Sequence, residues 1–133
     1  MPQKLDTLRS FTDSLRSDGI ERIVLLGMGG SSLAPDVFQK TFINSPGFPE
    51  LSVLDSTHPE KVRQLDLNLD YDKTFFIVSS KSGTTLETRS LYQYFWERCS
   101  QSAVRPGDYF AAVTDPDSPL GDIGRTEKFR GVF

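Results

Sequence analysis

Five short apolar runs recur along the chain, and none of them alternates cleanly between apolar and polar residues. They cover residues 23–26, 51–54, 74–78, 109–113 and 129–133. A continuous apolar run of this length is typical of a strand that is buried on both faces of a parallel sheet. The sequence therefore predicts five parallel strands, and we expect the fifth to be cut off at the end of the chain.

The segments between these runs show helical spacing. The leading segment carries Leu5, Leu8, Phe11 and Leu15, at steps of three and four residues that predict an amphipathic helix. Further helices are predicted from about 33 to 42, from a Thr57–Glu60 capping box to about 65, from Thr85 towards residue 106, and briefly around residues 120–123. The stripe of the fourth helix includes Phe95, Trp96 and Cys99, which we interpret as core residues.

Alternating strands and helices predict an α/β fold, a three-layer αβα sandwich around a five-stranded parallel sheet. We expect one domain over residues 1–133, with residues 1–20 forming the leading helix. In a flavodoxin-like order, 2-1-3-4-5, strands 1 and 3 are neighbours at the point where the strand order reverses. Loops that follow these two strands would then flank one crevice.

The charge, the apolar content and the single cysteine of the chain argue against several classes of function. The chain of 133 residues has a net charge of −3 and a pI near 5.1, which argues against a nucleic-acid partner. No apolar run approaches the length of a membrane span, and no secretory leader is evident. The single cysteine, Cys99, forms no internal disulfide and suits a cytoplasmic location. No metal-ligand spacing occurs, so neither a metal nor another cofactor is expected.

Two loops carry the candidate chemistry. Strand 1 is followed by a loop with three glycines within four residues, Gly27, Gly29 and Gly30, which allows a ligand to approach the backbone closely. Strand 3 is followed by five hydroxyl residues around Lys81, directly before a helix. A helix N-terminus with such side chains is suited to binding phosphate. The alternative is that Thr84 or Thr85 merely caps the helix.

The amino-acid sequences of both loops, GMGGSSLAP at residues 27–35 and SKSGTTLET at residues 80–88, resemble those of the phosphoglucose isomerase family. The resemblance runs from about Arg22 to Phe133, and it implies a sugar isomerase (SIS) domain, a phosphosugar-binding α/β sandwich. The GGSSL motif and the turn at residues 114–116 are similar to those of the bacterial branch that is often fused to transaldolase. The resemblance implies phosphate contacts from Ser80, Lys81, Ser82 and Thr85, a sugar-facing loop at Gly29, Gly30 and Ser31, and Glu87 near the active site.

The same resemblance implies that the parent protein interconverts glucose 6-phosphate and fructose 6-phosphate as a homodimer. The family's catalytic base is a glutamate that would lie downstream of Phe133, so we expect the fragment alone to be inactive and able to self-associate. The chain departs from many relatives at Ser82-Gly83-Thr84, where they carry a threonine and an aromatic residue. This departure concerns sugar orientation more than phosphate binding, because serine retains a hydroxyl.

Two other interpretations of the same loops stay open from the sequence. Gly27-Met28-Gly29 opens a dinucleotide-binding fingerprint and Asp55 ends the second strand, but Ser32 occupies the third glycine position. A non-catalytic domain that senses sugar phosphates would use the same two loops. His58, the only histidine, is interpreted as a surface residue in the first turn of a helix.

Overall fold

The computed structural model describes residues 2–42 and 44–133, and a parallel sheet lies at its centre. The order of its five strands is β2-β1-β3-β4-β5, and every neighbouring pair is parallel. The strands are β1 (Arg22–Gly27), β2 (Glu50–Leu54), β3 (Thr74–Ser79), β4 (Phe110–Val113) and β5 (Gly131–Val132). The predicted strand order and orientation are confirmed, and the last strand is only two residues long.

Helices and strands follow one another along the chain in the predicted order. They are α1 (Pro2–Ser17), α2 (Gly30–Thr41), α3 (Pro59–Leu67), α4 (Leu86–Ser100) and α5 (Pro119–Thr126), with short 3₁₀ turns at Tyr71–Lys73 and Pro106–Tyr109. The helix α2 begins at Gly30, earlier than the apolar pattern suggested, because the helical turn starts within the glycine loop itself. The helix α4 ends at Ser100 and does not continue to the proline at 106.

The start of α3 corrects one prediction. The capping box with Thr57 as N-cap and Glu60 at N3 is wrong, because His58 is the N-cap and Pro59 is the first helical residue. Proline suits that first position, since it lacks the N–H that would be unpaired there. The Nδ1 atom of His58 accepts the Glu60 N–H at 3.3 Å. His58 is exposed, as predicted, but it acts as the cap itself.

Alternation along the strands divides the core into two clusters, one on each face of the sheet. Phe76 and Phe110 belong to the larger cluster with Val62 of α3, Leu91 of α4 and Leu120 of α5. The Phe76 ring lies between those of Phe95 and Phe110, at centroid distances of 5.1 and 5.0 Å. On the other face, Leu15 of α1 packs with Ile20, Phe75 and Ala111.

The predicted core roles on α4 are confirmed. Phe95 and Cys99 are buried, and Trp96 packs partly buried against the same cluster. Burial raises the pKa of the Cys99 thiol to about 11. A thiol that is buried and protonated in this way is a core group and not an activated nucleophile.

A polar cluster joins α3 to α4. The carboxylate of Asp66 accepts hydrogen bonds from the Tyr71 hydroxyl, from the Tyr94 hydroxyl at 2.8 Å and from Nε of Arg98 at 3.1 Å. Burial alone would raise the pKa of Asp66, but these three donors outweigh it and hold the pKa below its usual range. The cluster therefore stabilises the packing of the two helices when the carboxylate is charged.

Candidate functional site

Three loops leave the sheet at the same edge. Gly27, the last residue of β1, lies opposite Ser79, the last residue of β3, and Ser79 lies opposite Val113, the last residue of β4. Because the strands are parallel, the loops that follow them begin side by side. The structure thus brings together the two loops singled out in the sequence and adds a third, the loop between β4 and α5.

The glycine loop packs tightly against β3 at its base and is open at its tip. A Cβ atom at Gly27 would lie 3.2 Å from the Ser79 carbonyl oxygen and 3.4 Å from that of Ser31. Gly29, with φ of 55° and ψ of −127°, is the N-cap of α2 and provides no side-chain cap. Around a Cβ position at Gly30 there is open space for 4 Å. The loop can therefore accept a ligand directly against its backbone.

Hydroxyl groups hold the β3–α4 loop, residues 80–85, in shape. The Ser80 hydroxyl is buried; it accepts the Gly83 N–H at 3.1 Å and lies 3.2 Å from the Thr85 hydroxyl. The Ser82 hydroxyl accepts the Thr84 N–H at 3.2 Å and lies 2.9 Å from the Thr84 hydroxyl. Lys81 and Ser82 are exposed at the tip of the loop. The Ser80 side chain therefore makes hydrogen bonds inside the loop, whereas Lys81 and Ser82 face the solvent.

The first turn of α4 has no side-chain cap from its N-cap residue. Thr85 occupies the N-cap position, but its hydroxyl contacts Ser80 and makes no capping bond. A simple capping role for Thr85 is therefore not what the structure shows. Glu87 is exposed in this first turn, and the hydroxyl of Thr88 is buried without a hydrogen-bond partner. Backbone N–H groups at such a terminus can donate to an anion, which the helix dipole also attracts.

The β4–α5 loop, residues 114–118, braces the β3–α4 loop. The Lys81 carbonyl accepts the Asp115 N–H at 3.1 Å and the Thr114 hydroxyl at 3.3 Å. Gly83 has a φ of +68°, and a Cβ atom there would lie 2.8 Å from the Leu120 nitrogen. In the sequence, residues 114–118 indicated helix-start chemistry and part of the family resemblance, and no contact with the β3–α4 loop. The strand order was the available signal, since it places this loop beside the loop after strand 3.

The rest of the described surface offers weaker candidates for a site. Within residues 2–42 and 44–133, no group of three His, Cys, Asp or Glu side chains is placed to hold a metal ion. No helix in the described part of the chain combines the length and apolarity needed to cross a membrane. A groove of about 600 Å³ lies away from the three loops, and its lining combines aromatic residues such as Phe38 and Phe42 with polar residues such as Asn44 and Glu50. Hydroxyl groups beside a helix N-terminus are found on the loops, which we take as the candidate site.

Comparison with known proteins gives a consistent result. The family model for phosphoglucose isomerase matches residues 2–118. A glucose-6-phosphate isomerase of Chlamydia felis is 30% identical over 123 residues, which are 92% of this chain and 23% of that protein. One of Campylobacter jejuni is also 30% identical, over 86% of this chain and 28% of that protein. The chain thus spans about a quarter of the length of these curated relatives.

Solved structures agree with the sequence comparison. A hypothetical protein from Thermus thermophilus superposes with a TM-score of 0.84 at 29% identity, over 99% of this chain and 32% of that one. A glucose-6-phosphate isomerase from Chlamydia trachomatis superposes with a TM-score of 0.79 at 26% identity, over 98% of this chain and 25% of that one. The match of the family model over residues 2–118 therefore shows that the chain belongs to the phosphoglucose isomerase family.

Proposed function

We propose that this chain is the phosphosugar-binding part of a glucose-6-phosphate isomerase. In the whole enzyme the reaction is the aldose–ketose interconversion of glucose 6-phosphate and fructose 6-phosphate, a step of glycolysis. The observation that carries the proposal is the uncapped N-terminus of α4, which opens beside a loop rich in hydroxyl groups. The family membership and the curated relatives that bear this enzyme's name support it.

The phosphate group is assigned to the β3–α4 loop. Lys81 and Ser82 are exposed, so their side chains and N–H groups can reach a dianion in front of α4. The Thr85 hydroxyl contributes a donor when it turns from Ser80 towards the ligand. Ser80 acts mainly through the Gly83 N–H that it holds, which keeps the loop in a shape that surrounds the phosphate.

The sugar is assigned to the space between the loops. Gly29, Gly30 and Ser31 lie on the adjacent loop, where the backbone is open at its tip. Glu87, exposed in the first turn of α4, lies next to the same edge of the sheet. Water competes with the donors of the β3–α4 loop for the phosphate, and the space between the loops is open to solvent. We therefore expect weak, roughly millimolar binding of sugar phosphates.

Isomerisation requires more than a bound phosphate. A base has to move a proton between neighbouring carbons, and another group has to stabilise the enediolate. In our proposal the chain supplies the phosphate-holding part of the site, and the base comes from another part of the enzyme. The chain alone is then inactive in a coupled isomerase assay. A cytoplasmic location and a homodimeric parent belong to the same proposal, and the family resemblance is their support.

The test is an NMR titration with fructose 6-phosphate and, in parallel, with fructose. Shifts are expected at residues 80–85 and 29–32, and only the phosphorylated sugar should cause them. Thr85→Val removes one donor at nearly constant volume and should weaken the response. Thr12→Val is the matched control, because the Thr12 hydroxyl donates to the Leu8 carbonyl in α1. Equal responses to both sugars, or an undiminished response of Thr85→Val, would contradict the assignment.

A further inference from the structure

We propose that Thr114 is a positioning residue that fixes the peptide group between Lys81 and Ser82 and directs the Ser82 N–H towards the ligand. The inference rests on the proposed function, because it explains how the phosphate loop is prepared for an anion. It concerns a residue in the β4–α5 loop that would not itself touch the phosphate.

The first step is the orientation of the Lys81 carbonyl. Its oxygen accepts two hydrogen bonds from the β4–α5 loop, from the Asp115 N–H at 3.1 Å and from the Thr114 hydroxyl at 3.3 Å. Two donors from the same neighbouring loop hold the carbonyl on the β4 side of the β3–α4 loop. This peptide group therefore has little rotational freedom before any ligand arrives.

The second step follows from peptide geometry. The chain has no cis peptide bond among its described residues, and in a planar trans peptide the C=O and the N–H point in opposite directions. The Lys81 carbonyl points towards the loop after β4, so the Ser82 N–H points the other way. Because β3 lies between β1 and β4, that direction is towards the glycine loop after β1. The Ser82 N–H is thus aimed into the space between the two loops.

The third step settles which atom donates in each hydrogen bond. A carbonyl oxygen only accepts, so Thr114 uses its single hydroxyl hydrogen for Lys81. With that hydrogen assigned to Lys81, Ser118 is the donor in the contact of 2.7 Å between the hydroxyls of Thr114 and Ser118. Ser118 in turn accepts the Gly121 N–H at 3.0 Å as the N-cap of α5. The hydrogens of Gly121, Ser118 and Thr114 all point along one chain towards the Lys81 oxygen.

This directional chain has a chemical consequence. Hydrogen bonds that follow one another with the same polarity strengthen each other. The last of them polarises the Lys81–Ser82 amide and makes its N–H a better donor to an anion. Ser118 is buried, so water competes little for the middle of the chain. Thr114 therefore both orients and activates a group that faces the ligand.

The experiment compares three variants with the wild-type chain. Thr114→Val removes the hydroxyl at nearly constant volume, Thr114→Ser retains it, and Thr12→Val removes a hydroxyl–carbonyl bond in α1, away from the site. The probe is inorganic phosphate followed by NMR. We expect Thr114→Val to weaken binding about threefold to tenfold, because the Ser82 N–H is no longer held towards the anion and one ordinary hydrogen bond to it is lost, while Thr114→Ser and Thr12→Val stay within about twofold of wild type.

A second readout needs no ligand. The Ser82 amide nitrogen and the Lys81 carbonyl carbon should shift in Thr114→Val and not in Thr12→Val. One measurement uses only the wild-type chain, so it does not depend on whether the variants fold. A scalar coupling across the hydrogen bond from the Asp115 nitrogen to the Lys81 carbonyl should be detectable there. An unmoved Ser82 amide, an absent coupling, or wild-type affinity in Thr114→Val would each overturn the inference. If the wild-type chain binds no phosphate, the proposed function fails, whereas these ligand-free signals still decide the orientation of the peptide.

Discussion

Replacing Gly83 by alanine tests the packing of the β3–α4 loop directly. Its φ of +68° is a left-handed conformation, in which an L-residue with a Cβ loses about 1–2 kcal/mol. The added Cβ would also lie 2.8 Å from the Leu120 nitrogen and 3.0 Å from the Cβ atoms of Leu120 and Ser118. Crowding of this kind destabilises the folded chain by about 1–3 kcal/mol. Alanine also lowers the conformational entropy of the unfolded chain, which stabilises the folded state by less than about 1 kcal/mol.

We therefore expect Gly83→Ala to lower the free energy of unfolding by about 3 kcal/mol and the thermal midpoint by roughly 10 °C. Urea unfolding followed by circular dichroism measures the first quantity. The matched control is Gly19→Ala, since Gly19 has a similar φ of +76° but open space around a Cβ. Only the backbone strain applies there, so its loss should be about 1 kcal/mol.

The difference between the two variants isolates the contact with α5. Equal losses in Gly83→Ala and Gly19→Ala would refute the reasoning, because they would show that Gly83 does not pack against Ser118 and Leu120. The same contact gives a physical reason for glycine at this position of the loop. A larger side chain cannot occupy it while the N-terminus of α5 lies against the loop.

Two further predictions concern stability on either side of this loop. Asp66→Asn should cost about 2 kcal/mol, because the carboxylate accepts three hydrogen bonds that an amide only partly replaces. Since the pKa of Asp66 is lowered on folding, its contribution is complete above the ordinary carboxyl pKa and is lost as the pH falls below it. Urea unfolding at a series of pH values should show the wild-type advantage over Asp66→Asn disappearing at low pH; a constant difference would contradict it. Thr88→Val should raise the free energy of unfolding by about 1 kcal/mol, because it removes a buried hydroxyl without a partner, and a loss of stability would indicate a hidden partner.

The apolar pattern predicted the fold because its signal is local and strong. Unbroken runs such as residues 23–26 and 74–78 have no solvent-facing side, so they fit only a sheet covered by helices on both faces. The boundaries were less predictable where capping chemistry decides them. Pro59 moved the start of α3 by one residue, and a helical turn within the glycine loop moved the start of α2.

The candidate site was predictable only in outline. Parallel strands necessarily bring the loops after β1 and β3 to one edge, so their proximity followed from the strand order. Individual roles did not follow, because the sequence does not tell which hydroxyl faces inward. Ser80 is buried and Ser82 is exposed although both are serines of one loop. The bracing by Thr114 depends on the turn of a peptide group in space, for which the sequence carries no signal.

The strand order also decides how local opening at the margin of the sheet reaches the candidate site. All three loops of the site follow central strands, β1, β3 and β4, while the outer strands β2 and β5 carry none of them. The strand β5 pairs with β4 at only two positions, Ala111 with Gly131 and Ala112 with Val132. Few pairs mean a small free energy of local opening, so we expect the amide hydrogens of β5 to exchange with solvent before those of β1 and β3. Opening at this edge reaches one loop of the candidate site, because the Thr114 N–H donates to the Phe133 carbonyl at 3.0 Å.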